Sequence, residues 1–313
     1  MSTSSTPERI GQRVAGGEAD FWLVRQFLLD AWGLAAPGHV WDVRRWDGAY
    51  HHRAQSGWDA HWRGGQAVGL WETPAGRLVG AVHPESAGEA WLQVLPGYRW
   101  LEEAMLEWAE AELPSDLADG QRRLSVFAWD YDAQRIELLE RRGYTRTAGG
   151  EHLRRWSLPV PSVPVALPAG YRLHTLRPGH PEDCERYAAL LNNAFQRTCH
   201  TAEEVANFTC HSPSFNAELE LIAAAPDGSF AALAGMIYDS ANRYGLLEPV
   251  CATRGQRPLG LTGLLMHEGV RRAMALGAQH CYVGTGYGMP ANRFYHAVGF
   301  KVQQSGSYWA KTV

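Results

Sequence analysis

Lysine is almost missing from this chain. Only Lys301 and Lys311 stand among its 29 basic residues, so arginine carries the positive charge. Dense basic runs are missing as well: Arg122-Arg123, Arg141-Arg142 and Arg271-Arg272 are isolated pairs, and the formal net charge is -4. A phosphate backbone calls for a cationic face, so no nucleic-acid partner is expected. No apolar run approaches the roughly 18 residues of a membrane-spanning helix, and residues 1–17 are Ser/Thr/Gly-rich with no apolar segment. Neither a membrane partner nor a signal peptide is expected, and residues 1–18 read as a flexible leader. Cysteine is scarce and its number, five, is odd. That argues against a disulfide framework and for a reduced, cytoplasmic setting. CxxC and HxxxH spacings are absent; Cys199-His200 and Cys210-His211 are adjacent pairs whose members cannot readily face one ion, so no metal is expected.

What is present is 313 residues, 45% apolar and 20% charged, enough for two ordinary cores. Pro159, Pro161, Pro164 and Pro168 crowd the space between two strand-like runs and mark a stiff connector. The chain therefore divides into 19–158, a connector 159–169, and 170–313. In the second half, apolar periodicity predicts a strand Tyr171–Leu176 and a helix Pro181–Phe195. The capping box Thr201-Ala202-Glu203-Glu204 opens a further helix, and strands Glu218–Ala225 and Phe230–Tyr238 are joined by a Pro226-Asp227-Gly228 turn. Next come a strand Gly245–Cys251, a helix Leu261–Leu276 stopped by Gly277, a strand Cys281–Thr285, a short helix and a last strand. The order is β-α-α-β-β-β-α-β-α-β.

The first half reads similarly. Helices are predicted over Phe21–Leu34 and around Trp41–Arg53, and strands near Gln66–Glu72, Leu78–His83 and Ala90–Leu95. A helix Leu101–Leu113, a strand Leu124–Ala128, a helix Ala133–Arg142 and a strand His152–Leu158 follow. Arg135 to Tyr144 mirrors Arg293 to Phe300, and a diverged internal duplication is the simplest account. Of 13 tryptophans, all but Trp309 lie at or before Trp156. The pairs Trp58/Trp62 and Trp100/Trp108 have helical spacing, which favours packing, with an aromatic cleft wall as the other reading. His51-His52 with His61 reads as a solvated helix face.

The most informative stretch is Glu248-Pro249-Val250, followed by Arg257-Pro258-Leu259-Gly260-Leu261-Thr262 and a helix. An apolar strand runs into a short loop whose Gly260 lets the backbone approach an anion. The loop opens into a helix N-terminus whose unpaired amides and dipole favour a phosphate, and Arg257 adds a cation. Strand, Arg-x-x-Gly-x-small loop, helix, strand, and the closing Asn292-Arg293-Phe294-Tyr295-His296-Ala297-Val298-Gly299-Phe300 resemble the acetyl-CoA-binding half of the GNAT family of N-acyltransferases over residues 170–313. The resemblance implies an α/β (α+β) fold of two tandem GNAT-like domains, each a mixed central sheet flanked by helices.

It also implies roles. Tyr295 stands at the family's proton-donor position, with a buried core tyrosine next to Phe300 as its other reading. Glu248 stands where members often carry a catalytic Glu, whose partial burial is expected, with a structural residue before Pro249 at a strand bend as its other reading. A splay between this strand and the next would expose Pro249, Val250 and Cys251 on one side and Val283 to Thr285 on the other to the pantetheine arm. Arg257, Pro258, Leu259, Gly260, Leu261 and Thr262 would hold the diphosphate, and Asn292 would lie near the pantetheine, with helix capping as its other reading. The family usually has Gly or Ala where Thr262 stands, and Pro258 removes one amide donor. Cys251 and Cys281, in apolar strands without a paired His, read as small core residues.

The first half departs where chemistry should sit. Aligning Arg99 with Arg257 puts Glu102 at the Gly260 position with Glu103 beside it, so two carboxylates would face a diphosphate. Leu139 occupies the Tyr295 position, leaving no proton donor. The expectation is an acetyl-CoA-dependent N-acetyltransferase whose C-terminal domain acetylates a small-molecule or peptide amine by direct transfer, with the N-terminal domain shaping the acceptor cleft. The alternative is a non-catalytic acyl-CoA or small-molecule-binding protein on the same tandem fold.

Overall fold

The computed structural model describes residues 9–54 and 67–313. Its elements are β1 (Gly11–Val14), α1 (Glu18–Trp32), α2 (Val43–His51), β2 (Gly69–Glu72), β3 (Leu78–His83), β4 (Glu89–Val94), α3 (Glu102–Glu112), β5 (Ser115–Asp116), β6 (Arg122–Trp129), α4 (Ala133–Arg141) and β7 (Thr145–Trp156). After the connector come β8 (Arg172–Thr175), α5 (Pro181–Phe195), α6 (Ala202–His211), β9 (Glu220–Ala224), β10 (Phe230–Asp239), β11 (Tyr244–Ala252), α7 (Leu261–Ala275), β12 (His280–Gly286), α8 (Ala291–Val298) and β13 (Phe300–Thr312). The described residues form two compact units: residues 9–43, 67–150 and 306–313, and residues 44–54 and 151–305.

In the first unit the strand order is β1-β2-β3-β4-β6-β13, with β5 beside β6. All neighbours are antiparallel except β4 and β6. In the second it is β7-β12-β11-β10-β9-β8, antiparallel except β11 and β12. The repeat foreseen in the element order thus recurs in the pairing. One strand per unit comes from the opposite half of the sequence. Residues 306–312 of β13 pair with β6, and residues 151–155 of β7 pair with β12.

Strand alternation sorts the second unit's core onto two sheet faces. Leu221 and Ala223 join Leu265, Met266 and Val270 of α7, together with Tyr295 and Phe300. Ile222 and Ala224 join Cys184, Tyr187 and Leu191 of α5 and Val205 of α6 on the other face. The central strand β10 is buried almost throughout, as a strand covered on both faces must be.

Three expectations need correction. Residues 11–14, read as leader, form β1, which pairs with β2; Arg13 reaches Asp20 at 2.6 Å and Glu72 at 2.9 Å. With every residue of Gly11–Val14 exposed, no hydrophobic alternation announces the strand. Trp100 is 56% exposed, so of its pair only Trp108 packs, edge-on against Trp71. His51 is buried, and His52 stacks on Phe208 at 4.0 Å. Trp58, Trp62 and His61 lie outside the described residues.

The exchanged strand β13 is closely fitted. A Cβ on Gly306 would come 2.5 Å from the Phe127 ring and 2.8 Å from the Ala128 carbonyl. Gly306→Val should destabilise the first unit by about 1–3 kcal/mol, seen as a lower urea midpoint by tryptophan fluorescence; an unchanged midpoint would show that the strand does not pack there.

Candidate functional site

The β11–β12 ladder carries the site. Its pairs run from Tyr244↔His280 to Leu247↔Val283 and stop, although β11 continues against β10 to Ala252 and β12 against β7 to Gly286. Past Leu247 and Val283 the two strands no longer pair with each other. The residues there are open: Glu248 and Gly284 are exposed, and Pro249, Val250, Thr285 and Gly286 half-buried. Backbone polar groups facing such a gap require water or a ligand.

β11 leads through a 3-10 turn, Arg254–Leu259, to Gly260, whose left-handed backbone (φ 67°) precedes α7. A Cβ at Gly260 would meet nothing within 4 Å, so the space beside it is open. The Leu261 side chain is buried in the α7 core, leaving its amide, with those of Thr262 and Gly263, as first-turn donors. Arg257 is exposed but donates to the Ala194 carbonyl at 2.8 Å, and Thr262 donates to the Cys251 carbonyl at 3.5 Å. Leu259 is exposed, and Pro258 lies within the turn.

Tyr295, on α8, is 7% exposed, and its hydroxyl makes no hydrogen bond to another described residue. Burial, helped by the charges of Glu248 and Cys251 and opposed by Arg154, pushes the phenol up to about 12. Asn292 neither caps α8 nor stands free: its amide donates to the Gly286 carbonyl at 3.0 Å and accepts from Arg154 at 2.8 Å. Glu248 is exposed rather than partly buried, because it is the first residue past the paired stretch. Burial pushes the thiols of Cys251 and Cys281 up to about 12, which suits inert core residues.

Sequence reasoning passed over two groups here. Arg154, from β7, is 5% exposed and holds Asn292, with no carboxylate partner among the described residues. Glu220, at the start of β9, is 5% exposed and takes a hydrogen bond from Tyr187. Neither lies in a motif, and both are brought in by strand pairing alone.

The equivalent place in the first unit is filled. β4 and β6 pair only at Glu89↔Ser125 and Ala90↔Val126. Beyond them stand buried aromatics, with Trp91 stacked on Phe127 at 4.7 Å and Phe127 edge-on to Trp129 at 4.8 Å. Glu102 does not face outward as expected; it is 1% exposed and accepts from Arg99 at 2.7 Å and from Arg135 at 3.2 Å. Burial alone would raise this carboxyl, but Arg135 and Arg99 outweigh it and hold it down at about 2. Arg99 also reaches Asp132, at 2.6 Å. Glu103 alone of the expected pair is exposed.

The fold has known counterparts. Neither protein-family models nor curated proteins match the sequence. Solved structures do match along nearly the whole chain. A GCN5-related N-acetyltransferase from Sphaerobacter thermophilus is 20% identical with TM-score 0.60, covering 98% of this chain and 97% of its own. A tandem GNAT protein from the clavulanic acid biosynthesis pathway is 17% identical with TM-score 0.63, covering 97% and 98%. The chain has a tandem GNAT fold. A GNAT-family acetyltransferase from Colwellia psychrerythraea agrees, at 10% identity and TM-score 0.60 over 96% of this chain and all of its own. Among the described residues no group of three His, Cys, Asp or Glu could hold a metal, and no helix is long and apolar enough to cross a membrane.

Within the first GNAT unit, Glu102→Ala would take away one of the two carboxylates, Glu102 and Asp132, that Arg99 and Arg135 share, and should cost about 3–5 kcal/mol, read by chemical denaturation. Because the folded carboxyl titrates below its ordinary value, the stabilisation is complete above about pH 4.5 and lost as pH falls toward 2. A variant as stable as the parent at pH 7 would contradict the network.

Proposed function

We propose that the chain is an acetyl-CoA-dependent N-acetyltransferase, with residues 170–313 as the acetyl-CoA-binding and catalytic domain, completed by the end of β7. Residues 19–158 serve as a degenerate domain shaping the acceptor cleft, across the connector 159–169. The observation that carries this reading is the unpaired stretch of β11 and β12 leading to open space at Gly260. An extended amide-bearing arm can pair with the backbone of Pro249 to Cys251 and Val283 to Thr285, while a diphosphate takes the first-turn amides of α7. Acetyl-CoA supplies an activated acyl group as a thioester. Tyr295 stays protonated at any working pH and is a standing hydrogen-bond donor to a departing thiolate. The chemistry needs only an acceptor amine, from a small molecule or a peptide. The match to solved GNAT structures, one of them a tandem GNAT protein, along nearly the whole chain supports the reading at the level of fold.

One observation favours a second reading, a non-catalytic acyl-CoA-binding or small-molecule-binding protein. Pro258 offers no amide, and Arg257 is already engaged with Ala194, so the diphosphate would be held by fewer charges.

Calorimetric titration separates these readings from a repurposed fold. Acetyl-CoA should bind at about one per chain, and Gly260→Glu should abolish binding while costing about 1–2 kcal/mol for its left-handed backbone. No binding at millimolar acetyl-CoA would sink the acetyltransferase reading and the acyl-CoA-binding form of the second, leaving only a binder of some other small molecule. Tyr295→Phe should lower the rate of CoA release with a productive amine by about 10²-fold or more. It should leave the melting temperature unchanged, because the hydroxyl bonds to no other described residue. Binding without CoA release to any amine would favour the second reading.

A further inference from the structure

The site described so far has an acid, and its candidate base, Glu248, stands exposed. The best-placed carboxyl is elsewhere in the same unit. Glu220 opens β9, and alternation puts it on the face of Ile222 and Ala224, toward α5 and α6. Tyr295 belongs to the core on the opposite, α7 face.

The Glu220 carboxyl lies against Gly235: a Cβ there would come 2.8 Å from both of its oxygens and 3.0 Å from the Glu248 carbonyl oxygen. Between the pairs Ala234↔Val250 and Met236↔Leu247 the β10–β11 register leaves Gly235 opposite Glu248 and Pro249, a bulge whose extra residue lies in β11, while on its other side Gly235 pairs with Glu220. The bulge and the missing side chain together bring the carboxyl to the peptide of Glu248, the first residue of β11 past its pairing with β12.

Its partners are few. Oε1 accepts from the Tyr187 hydroxyl at 2.5 Å, and no cation forms an ion pair with it among the described residues. Arg44, whose charge acts on it, instead lies over the Phe208 ring at 4.0 Å and reaches His52 at 3.0 Å. Cys251 of β11 faces it from the same core. Buried Glu102, Asp183 and Glu268 are each held by guanidinium groups. A buried carboxylate left without one is destabilising, and a leucine or glutamine would pack the site more stably.

Resting on the acyl-transfer reading, we propose that Glu220 is the base that takes a proton from the acceptor amine, approaching from the sheet face opposite Tyr295, with Tyr187 as its positioning residue. An acceptor ammonium sheds two protons overall. One passes to Glu220, freeing the nitrogen lone pair to form the N–C bond. The C–S bond breaks with its electron pair going to sulfur, and the second proton ends on sulfur by way of Tyr295. Glu220 then returns its proton to solvent. Acid and base on opposite faces serve the two sides of the reacting carbonyl without neutralising each other. Burial pushes the Glu220 carboxyl up to about 7, against the Tyr187 hydroxyl and Arg44, which suits a base at neutral pH.

The test uses the full chain and an amine that the parent acetylates. The parent's kcat/KM should rise through about pH 7, apart from the acceptor amine's own ionisation near 10. Glu220→Gln should lose that limb and fall by about 10²-fold or more with a melting temperature equal to the parent's or higher. Tyr187→Phe should move the limb upward by removing a donor to the carboxylate. Infrared difference spectra should show a protonated carboxyl band at pH 6 that vanishes by pH 8 and is missing in Glu220→Gln. Should that variant not fold, Glu220→Asp, which withdraws the carboxyl by one methylene, should still lower the rate about tenfold or more. Parent turnover with an unaltered Glu220→Gln profile would overturn the assignment while leaving acyl transfer intact. A parent that releases no CoA with any amine would overturn both.

Discussion

Everything else in the second unit depends on where one parallel ladder stops. A strand between two neighbours has every backbone group paired, and one that parts from a neighbour while still inside the sheet does not. β11 and β12 part after four residue pairs, and each keeps its outer neighbour, so the parting cannot close by sliding either strand. Unpaired amides and carbonyls are costly if dry, about 1–3 kcal/mol each. The structure meets this by leaving the gap wet: Glu248 and Gly284 face solvent. A gap of extended, unpaired backbone accepts another extended chain as readily as an exposed sheet edge does.

The first unit parts its own parallel pair even earlier, after Ala90 and Val126, and closes the gap with side chains. Trp91, Phe127 and Trp129 are buried there, and Trp41 adds a further ring 5.4 Å from Trp91. The same contrast recurs one turn later. Where the second unit has Gly260 beside open space, the first has Glu102, a built-in anion that two arginines neutralise. A duplicated fold has thus met one constraint twice, once with its own residues and once with room for a ligand. Three of the first half's tryptophans, Trp41, Trp91 and Trp129, are used in that filling.

Much of this was legible in the sequence. The helices Pro181–Phe195 and Leu261–Ala275 and the strand Leu78–His83 follow from apolar period and from their caps, because local physics settles them. The Thr201 cap is as read, accepting from the Glu204 amide at 3.2 Å. Gly260 was legible because a left-handed residue before a helix demands glycine. What was not legible depends on pairing between distant segments. β1 has no apolar residue turned to a core, and the early part of β7, Thr145 to Gly150, is polar and glycine-rich. Glu102 and Glu103 are indistinguishable as letters, yet one is sealed beneath two guanidinium groups and the other is solvated. Glu220 and Arg154 gain their settings from Gly235 and Asn292, 15 and 138 residues away.

The exchange of strands limits how far the two halves can be treated as modules. A cut in the proline-rich connector looks harmless, because residues 159–168 join elements without belonging to one. Yet residues 170–313 alone would lack the strand that pairs with β12 from Tyr282 to Gly286. That is the outer support of the same strand whose inner ladder is open, so β12 would be unpaired on both sides beyond Val283. The segment 44–54, which brings Arg44 and His52 to α6, would be lost with it. Residues 1–158 would in turn lose the partner of β6 from Arg123 to Trp129. An open ladder is stable only while its outer flank is held, and here the holding strand is encoded on the far side of the connector. The inactive-looking half therefore has a reason to persist that is independent of any ligand of its own: it supplies the strand without which the gap in the other half could not stay open and ordered.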